Sequence, residues 1–210
     1  MDNIIVRRAR NTDDVLKIAS CIYLTAPFIY PAAFGTDIYQ AADAISKLMC
    51  IENGLLHFDN IALALCGKEI CGILLYNKDG AVWDRRKCTN LVKGMVPCIE
   101  NFEYVSDLYF SVESSTPPEK YIEVIACCVM PEFRNMGVAK CMLGWLIEEY
   151  SEYNLTLDVL ANNPVAIRLY QKYGFRIMEE FKGFSLEEST RPVCYNMVRT
   201  PIVLGGENNE

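Results

Sequence analysis

Histidine is almost missing from the chain: His57 is the single one in 210 residues. That scarcity removes most zinc sites and any acyl-enzyme built on a histidine base, and His57 itself reads as a loop or helix-end residue. No Cys-x-x-Cys pair occurs among the ten cysteines, and Cys66 and Cys71 are separated by four residues, so no metal is expected. Long apolar runs are absent too. The most apolar region, residues 61–76, is interrupted by Lys68 and Glu69 and is too short to cross a bilayer. The start, Met-Asp-Asn-Ile-Ile, lacks the basic end and apolar core of an export signal, so a cytoplasmic location is expected. In that compartment Cys66, Cys71, Cys127, Cys128, Cys141 and Cys194, which sit inside apolar runs, are expected as reduced, buried thiols. Positive charge is scarce: 20 Lys and Arg stand against 27 Asp and Glu, a net charge of −7. Such a surface repels nucleic acid and draws cationic amines weakly.

Hydrophobic residues make up 51% and charged residues 22%, enough for a real core. One domain over residues 1–200 is expected, with an insert at about 78–120 and a loose tail at 201–210. The chain is organised around residues 129–139, Val-Met-Pro-Glu-Phe-Arg-Asn-Met-Gly-Val-Ala. An apolar run, residues 121–129, precedes this stretch, and a helix-patterned run, residues 138–150, follows it. The order is therefore strand, turn, helix. A helix start offers free N–H groups and the positive end of the dipole. Gly137 keeps the backbone bare there, and Arg134 adds a planar cation suited to phosphate. This is the physical outline of a diphosphate cradle, although neither Gly-x-x-x-x-Gly-Lys-Ser/Thr nor Gly-x-Gly-x-x-Gly is present.

Arg134-x-x-Gly137-x-Ala139 resembles the Arg/Gln-x-x-Gly-x-Gly/Ala signature of the GNAT superfamily, the acyl-CoA N-acyltransferases. A second signature also resembles that family: Leu157-x-Val159, then Asn163-x-x-Ala166-x-x-Leu169-Tyr170-x-Lys172-x-Gly174-Phe175. The resemblance covers nearly the whole chain except the insert.

Periodicity gives the rest of the order. Residues 4–8 read as a strand. A helix capped by Thr12 follows and ends at Pro27, then comes an aromatic loop over 27–35. A second helix spans about 37–52. Strands at 61–66 and 70–76 form a hairpin. Within the insert, residues 97–110 suit a helix with Phe102, Val105 and Tyr109 on one stripe and Glu100, Glu103 and Asp107 on another, the acidic stripe reading as a solvated face. After the central helix come a strand at 155–160 and a helix capped by Asn163 with Pro164 at its first position. Strands at 176–184 and 193–199 close the series. The fold class is α/β, an α+β mixed sheet with helices on both faces. The resemblance implies the GNAT fold, a splayed, mostly antiparallel sheet.

The resemblance also implies chemistry: transfer of an acetyl group from acetyl-CoA, the acyl-donor substrate, to a primary amine by direct attack in a ternary complex. Asn135, Met136, Gly137, Val138 and Ala139 would hold the diphosphate with Arg134 alongside. The pantetheine arm would pair with backbone near Cys128 and Val129, and Asn163 would add a contact. Tyr170 matches the family's catalytic tyrosine, an acid for the departing thiolate; from the residues alone it could equally pack on the helix stripe. Glu123 carries the one charge inside residues 121–129 and is the candidate base, with a structural partner for a basic group such as Arg134, or an exposed strand-end residue, as the alternative. Phe28, Tyr30 and Phe34 would wall an acceptor pocket, with packing in the core as the alternative. The acceptor is a small-molecule amine or a peptide, with no nucleic acid and no membrane involved. A homodimer is compatible with the sequence. A silent acyl-CoA-binding module and an enzyme for protein N-termini or lysines are the competing readings.

Overall fold

The structure, a computed structural model, describes residues 3–78, 84–110 and 119–201. Its elements run β1 (Ile4–Arg8), α1 (Val15–Thr25), α2 (Ile29–Phe34), α3 (Ile38–Leu48), β2 (Ile61–Cys66), β3 (Glu69–Lys78), α4 (Arg85–Val92) and α5 (Ile99–Phe110). Then come β4 (Tyr121–Val129), α6 (Val138–Glu149), β5 (Asn154–Leu160), α7 (Pro164–Lys172), β6 (Arg176–Lys182) and β7 (Val193–Arg199). The seven strands form one sheet in the order β1-β2-β3-β4-β5-β7-β6. Among the described strands β4 and β5 are the one parallel pair, joined by the right length of crossover through α6.

Each face of the sheet carries its own core. On one face α1, α2, α3 and α5 cover Ile61, Leu63, Ile73 and Leu75. On the other, Met142, Leu143 and Leu146 of α6 pack on Ala62, Leu74, Ile122 and Val124. The sheet is tightly packed under the start of α6. A Cβ placed on Gly72 would stand 2.8 Å from the Cys128 carbonyl oxygen and 2.9 Å from Val138 Cγ1. Glycine there lets the helix mouth approach the sheet.

Several expectations are corrected. The first helix is capped by Asp14, whose Oδ1 accepts from the Lys17 N–H, and not by Thr12. Asp13 is held instead by Arg7, at 2.6 and 2.8 Å. The aromatic loop is the short helix α2: Pro31 falls in its first turn, where a missing N–H costs nothing. The second helix stops at Leu48, short of the expected residue 52. The insert holds two helices, α4 as well as α5, with Asp84 accepting from the Lys87 N–H at the start of α4. Phe102 and Val105 are buried as expected, whereas the side chain of Tyr109 and the tail from residue 202 lie outside the described residues. Of the six cysteines named above, Cys71 and Cys194 are fully buried and the other four only half-buried.

Strand β4 contains a bulge. Leu75 pairs with Ala126 and Tyr76 with Val124, so Ile125 has no counterpart on β3. Before the bulge Ile122 and Val124 face α6; after it Cys127 and Val129 do, while Ala126 and Cys128 turn to the α1 side.

Candidate functional site

The pairing between β4 and β5 covers four residues, Tyr121 to Val124 against Asn154 to Leu157. Beyond Val124 and Leu157 the strands part. Among the described residues, the facing edge of residues 125–129 has no strand across from it. Cys128 and Val129 remain tied to β3 opposite Ile73 and Gly72, and both are half-buried. An extended chain of amide groups could add to such an edge.

At the end of β4 the backbone turns through a short 3-10 segment, Pro131–Phe133, to the mouth of α6. Asn135 has φ +64° and Gly137 φ +86°, both left-handed. Gly137 occupies the cap position with no side-chain cap below it. Among the described residues, no backbone carbonyl meets the N–H groups of Val138, Ala139 and Lys140. The use of Gly137 is conformational: a Cβ there would touch nothing within 4 Å, yet φ +86° strains any other residue. Arg134, Asn135 and Met136 are exposed around this mouth. The Cys128 thiol is held below its ordinary range, first by the neighbouring Cys21 thiol and further by the charge of Arg134. Unmatched N–H groups, the dipole and a free guanidinium are a donor set that suits a diphosphate.

A cavity of about 300 Å³ opens at the splay. Ile125, Ala126 and Cys127 of β4 and Asp158 and Val159 of β5 form its floor. From α7 come Asn163, Ala166 and Tyr170. Asn163 caps that helix, its Oδ1 accepting from the Ala166 N–H at 3.1 Å. No residue of α7 is fully buried, because its apolar face overlooks this opening. The Tyr170 ring rests against Phe175, with centroids 5.8 Å apart, and among the described residues its hydroxyl is paired with no protein group. Burial, with the Cys127 thiol adding, pushes the Tyr170 hydroxyl well above its ordinary range, so it stays a proton donor.

The far wall is supplied by α2 and α5. Tyr30 and Phe34 line it with Phe102 and Val105, and Phe34 meets Phe102 edge to face at 5.3 Å. Phe28, expected here, points away and is 82% exposed.

Glu123 lies one step deeper along β4 than the cavity floor and does not line it. It is opposite Thr156 on β5 and Asn77 on β3. Burial, and then the charge of Asp158, hold its carboxyl above the usual carboxylate range. Asp158 was not singled out from the sequence, yet it lines the cavity and keeps an accessible surface. Burial raises its carboxyl too, offset by the Asn196 amide, which donates to Asp158 Oδ1 at 2.9 Å and to Thr156 Oγ1 at 3.2 Å. The signal was the alternation Leu155-Thr156-Leu157-Asp158-Val159: the leucines face α6, so Thr156 and Asp158 must face the other side.

Among the described residues no group of three or more His, Cys, Asp or Glu is placed to hold a metal ion, and no helix is long and apolar enough to cross a membrane.

The family model "Acetyltransferase (GNAT) family" matches residues 61–175, from β2 to the end of α7. The chain is 29% identical over 112 residues to the L-amino acid N-acetyltransferase AaaT of Escherichia coli, covering 51% of this chain and 68% of that one. An N-acetyltransferase from Staphylococcus aureus Mu50 superposes with a TM-score of 0.62 at 15% identity, over 92% of this chain and 99% of the other. Arabidopsis thaliana NAA60, solved in complex with acetyl-CoA, superposes with a TM-score of 0.54 at 18% identity, over 94% and 99%. At such identities the two structures speak to the fold.

Proposed function

Since the chain belongs to the GNAT acetyltransferase family, we propose that it moves an acetyl group from acetyl-CoA to a primary amine, both substrates being bound at once. What carries this is the parting of β4 and β5 beside an open helix mouth, with Tyr170 at the cavity between them. When bound, acetyl-CoA supplies an acyl carbon activated as a thioester. The N–H groups of residues 135–139 with Arg134 would hold its diphosphate. The free edge near Cys128 and Val129 would align its amide arm, and Asn163 would flank the tip.

The chain's own groups then divide the work. Overall, the amine nitrogen bonds to the acyl carbon, the C–S bond breaks, and the products are an amide, a thiol and one proton. The Glu123–Asp158 pair takes the amine's surplus proton. Two carboxylates in a partly dry site favour uptake of one proton, and burial holds both above the usual carboxylate range. Glu123, set back from the cavity, acts through water. The Tyr170 hydroxyl gives a proton to the leaving thiolate. No residue is acylated: the chemistry asks only for closeness and proton transfer.

A silent acyl-CoA-binding module would need the acceptor space filled. Instead α5 leaves a cavity between Phe102 and Tyr170. The test is thiol release from acetyl-CoA across amines, amino acids and peptides, alongside CoA binding by calorimetry. Amine-dependent thiol release is expected; CoA binding with no release from any acceptor would favour the silent module, and no CoA binding would overturn both.

A further inference from the structure

We infer that the acceptor is a primary amine with a single aromatic or branched apolar body and no carboxylate, its ammonium group read by Asp158. The inference rests on the reading above and names the substrate class of that site.

The lining of the cavity is unequal in charge. Among the described residues Asp158 is its one side chain with a formal charge, and neither lysine nor arginine lines it. Asp158 is also aimed. Asn196, itself buried, fixes one carboxylate oxygen at 2.9 Å and is braced in turn on Thr156. That leaves the second oxygen for an N–H donor in the cavity. Opposite stands an apolar wall from α2 and α5: Ile29, Tyr30, Phe34, Phe102 and Val105, with Leu56 from the loop before β2. The mutually packed rings of Tyr30, Phe34 and Phe102, tilted and edge to face, give that wall fixed faces. About 300 Å³ is at the small end for a ligand pocket, room for one ring and a short chain beside the thioester.

A free amino acid fits this lining poorly. Its carboxylate would enter a space where the standing charge is already negative and where no lining cation compensates for lost water. A polyamine fits less well, since the lining offers no second carboxylate to pair its second cation. A peptide N-terminus lacks the carboxylate but trails a chain for which the cavity has little room. The similarity to an L-amino acid acetyltransferase therefore does not carry its acceptor over to this chain.

The experiment compares 2-phenylethylamine, L-phenylalanine, L-phenylalaninamide, spermidine and a phenylalanine-led tetrapeptide as acceptors at saturating acetyl-CoA. The kcat/KM for 2-phenylethylamine should exceed that for phenylalanine on the order of 100-fold, and the amide should recover most of the loss. Asp158→Asn, which keeps shape and the Asn196 contact, should raise the KM for 2-phenylethylamine roughly 10-fold and shrink its advantage over phenylalanine. Equal or better use of phenylalanine, or acetylation of the peptide alone, would overturn the assignment, as would an unchanged ratio in the variant. Should no acceptor release thiol, the catalytic reading fails by itself. Calorimetry on the CoA-saturated protein then decides the amine class: 2-phenylethylamine binding without phenylalanine upholds it, and the reverse sinks it.

Discussion

Val124 and Leu157 are the last residues of β4 and β5 to face each other across the sheet. Past them, among the described residues, the backbone of β4 has a strand partner on one side only. Tyr170 and Asp158 both look into the space that this frees. The site thus comes from pairing that stops, and from a neighbouring helix whose apolar side is left half-open.

Tyr170→Phe removes the hydroxyl and keeps the ring against Phe175. Turnover should fall on the order of 100-fold while CoA affinity stays within about 2-fold. Single-turnover thiol release and calorimetry on the same protein separate the two. Full turnover in the variant would leave Tyr170 a packing residue.

Glu123 titrates high because it is buried and because Asp158 stands near. Its base form is lost as pH falls through that raised pKa, so kcat/KM should decline on the acidic side from a higher pH than an ordinary carboxylate gives. Taking away the Asp158 charge lowers the Glu123 pKa, and Asp158→Asn should move this acidic limb to lower pH. Glu123→Gln should abolish the limb. A pH–rate profile at saturating acetyl-CoA reads both, and an unmoved limb in both variants would remove Glu123 as base.

The helix mouth makes a prediction about the donor alone. Arg134→Ala should raise the KM for acetyl-CoA roughly 10-fold and leave that for acetyl-pantetheine, which has no diphosphate, unchanged. Gly137→Ala should do the same and also cost about 1–2 kcal/mol of stability, because φ +86° is unfavourable for a residue with a Cβ. Equal losses with both donors would place the effect elsewhere than on the diphosphate.

Gly72→Ala tests how α6 is seated. The added methyl would press on the Cys128 carbonyl and on Val138, so stability should fall by about 1–3 kcal/mol. A lower Tm with a raised KM for acetyl-CoA is the expected pair of readings.

Much of this was written in simple periodicities. The α6 series Met142, Leu143, Leu146 and the cap-and-proline start Asn163-Pro164 specify their helices locally, so they are legible without tertiary context. Helix α2 was hidden because Pro27 and Pro31 look like loop residues, and packing against α5, α3 and α1 holds six residues in a helix. Helix α4 was hidden by its run Arg85-Arg86-Lys87, which offers little apolar stripe beyond Cys88 and Val92. Among site residues, the cradle is one continuous stretch and could be read in order. Asp158 gains its meaning from Asn196 and from the rings of α2 and α5, distant in the chain. Phe28 and Tyr30 look alike in sequence, and only the helical turn between them sends one outward and one inward.

The surplus residue in β4 has a consequence for how this strand can change over time. Trimming Ile125 would restore an unbroken ladder with β3 and leave Cys127 and Val129 on the α6 side, yet it would take away a residue that floors the cavity. Such a protein would keep its strands and lose part of the floor of its reaction chamber. Lengthening or shortening is therefore tolerable in the segments joining the helices, while in β4 the number of residues is itself an inherited trait.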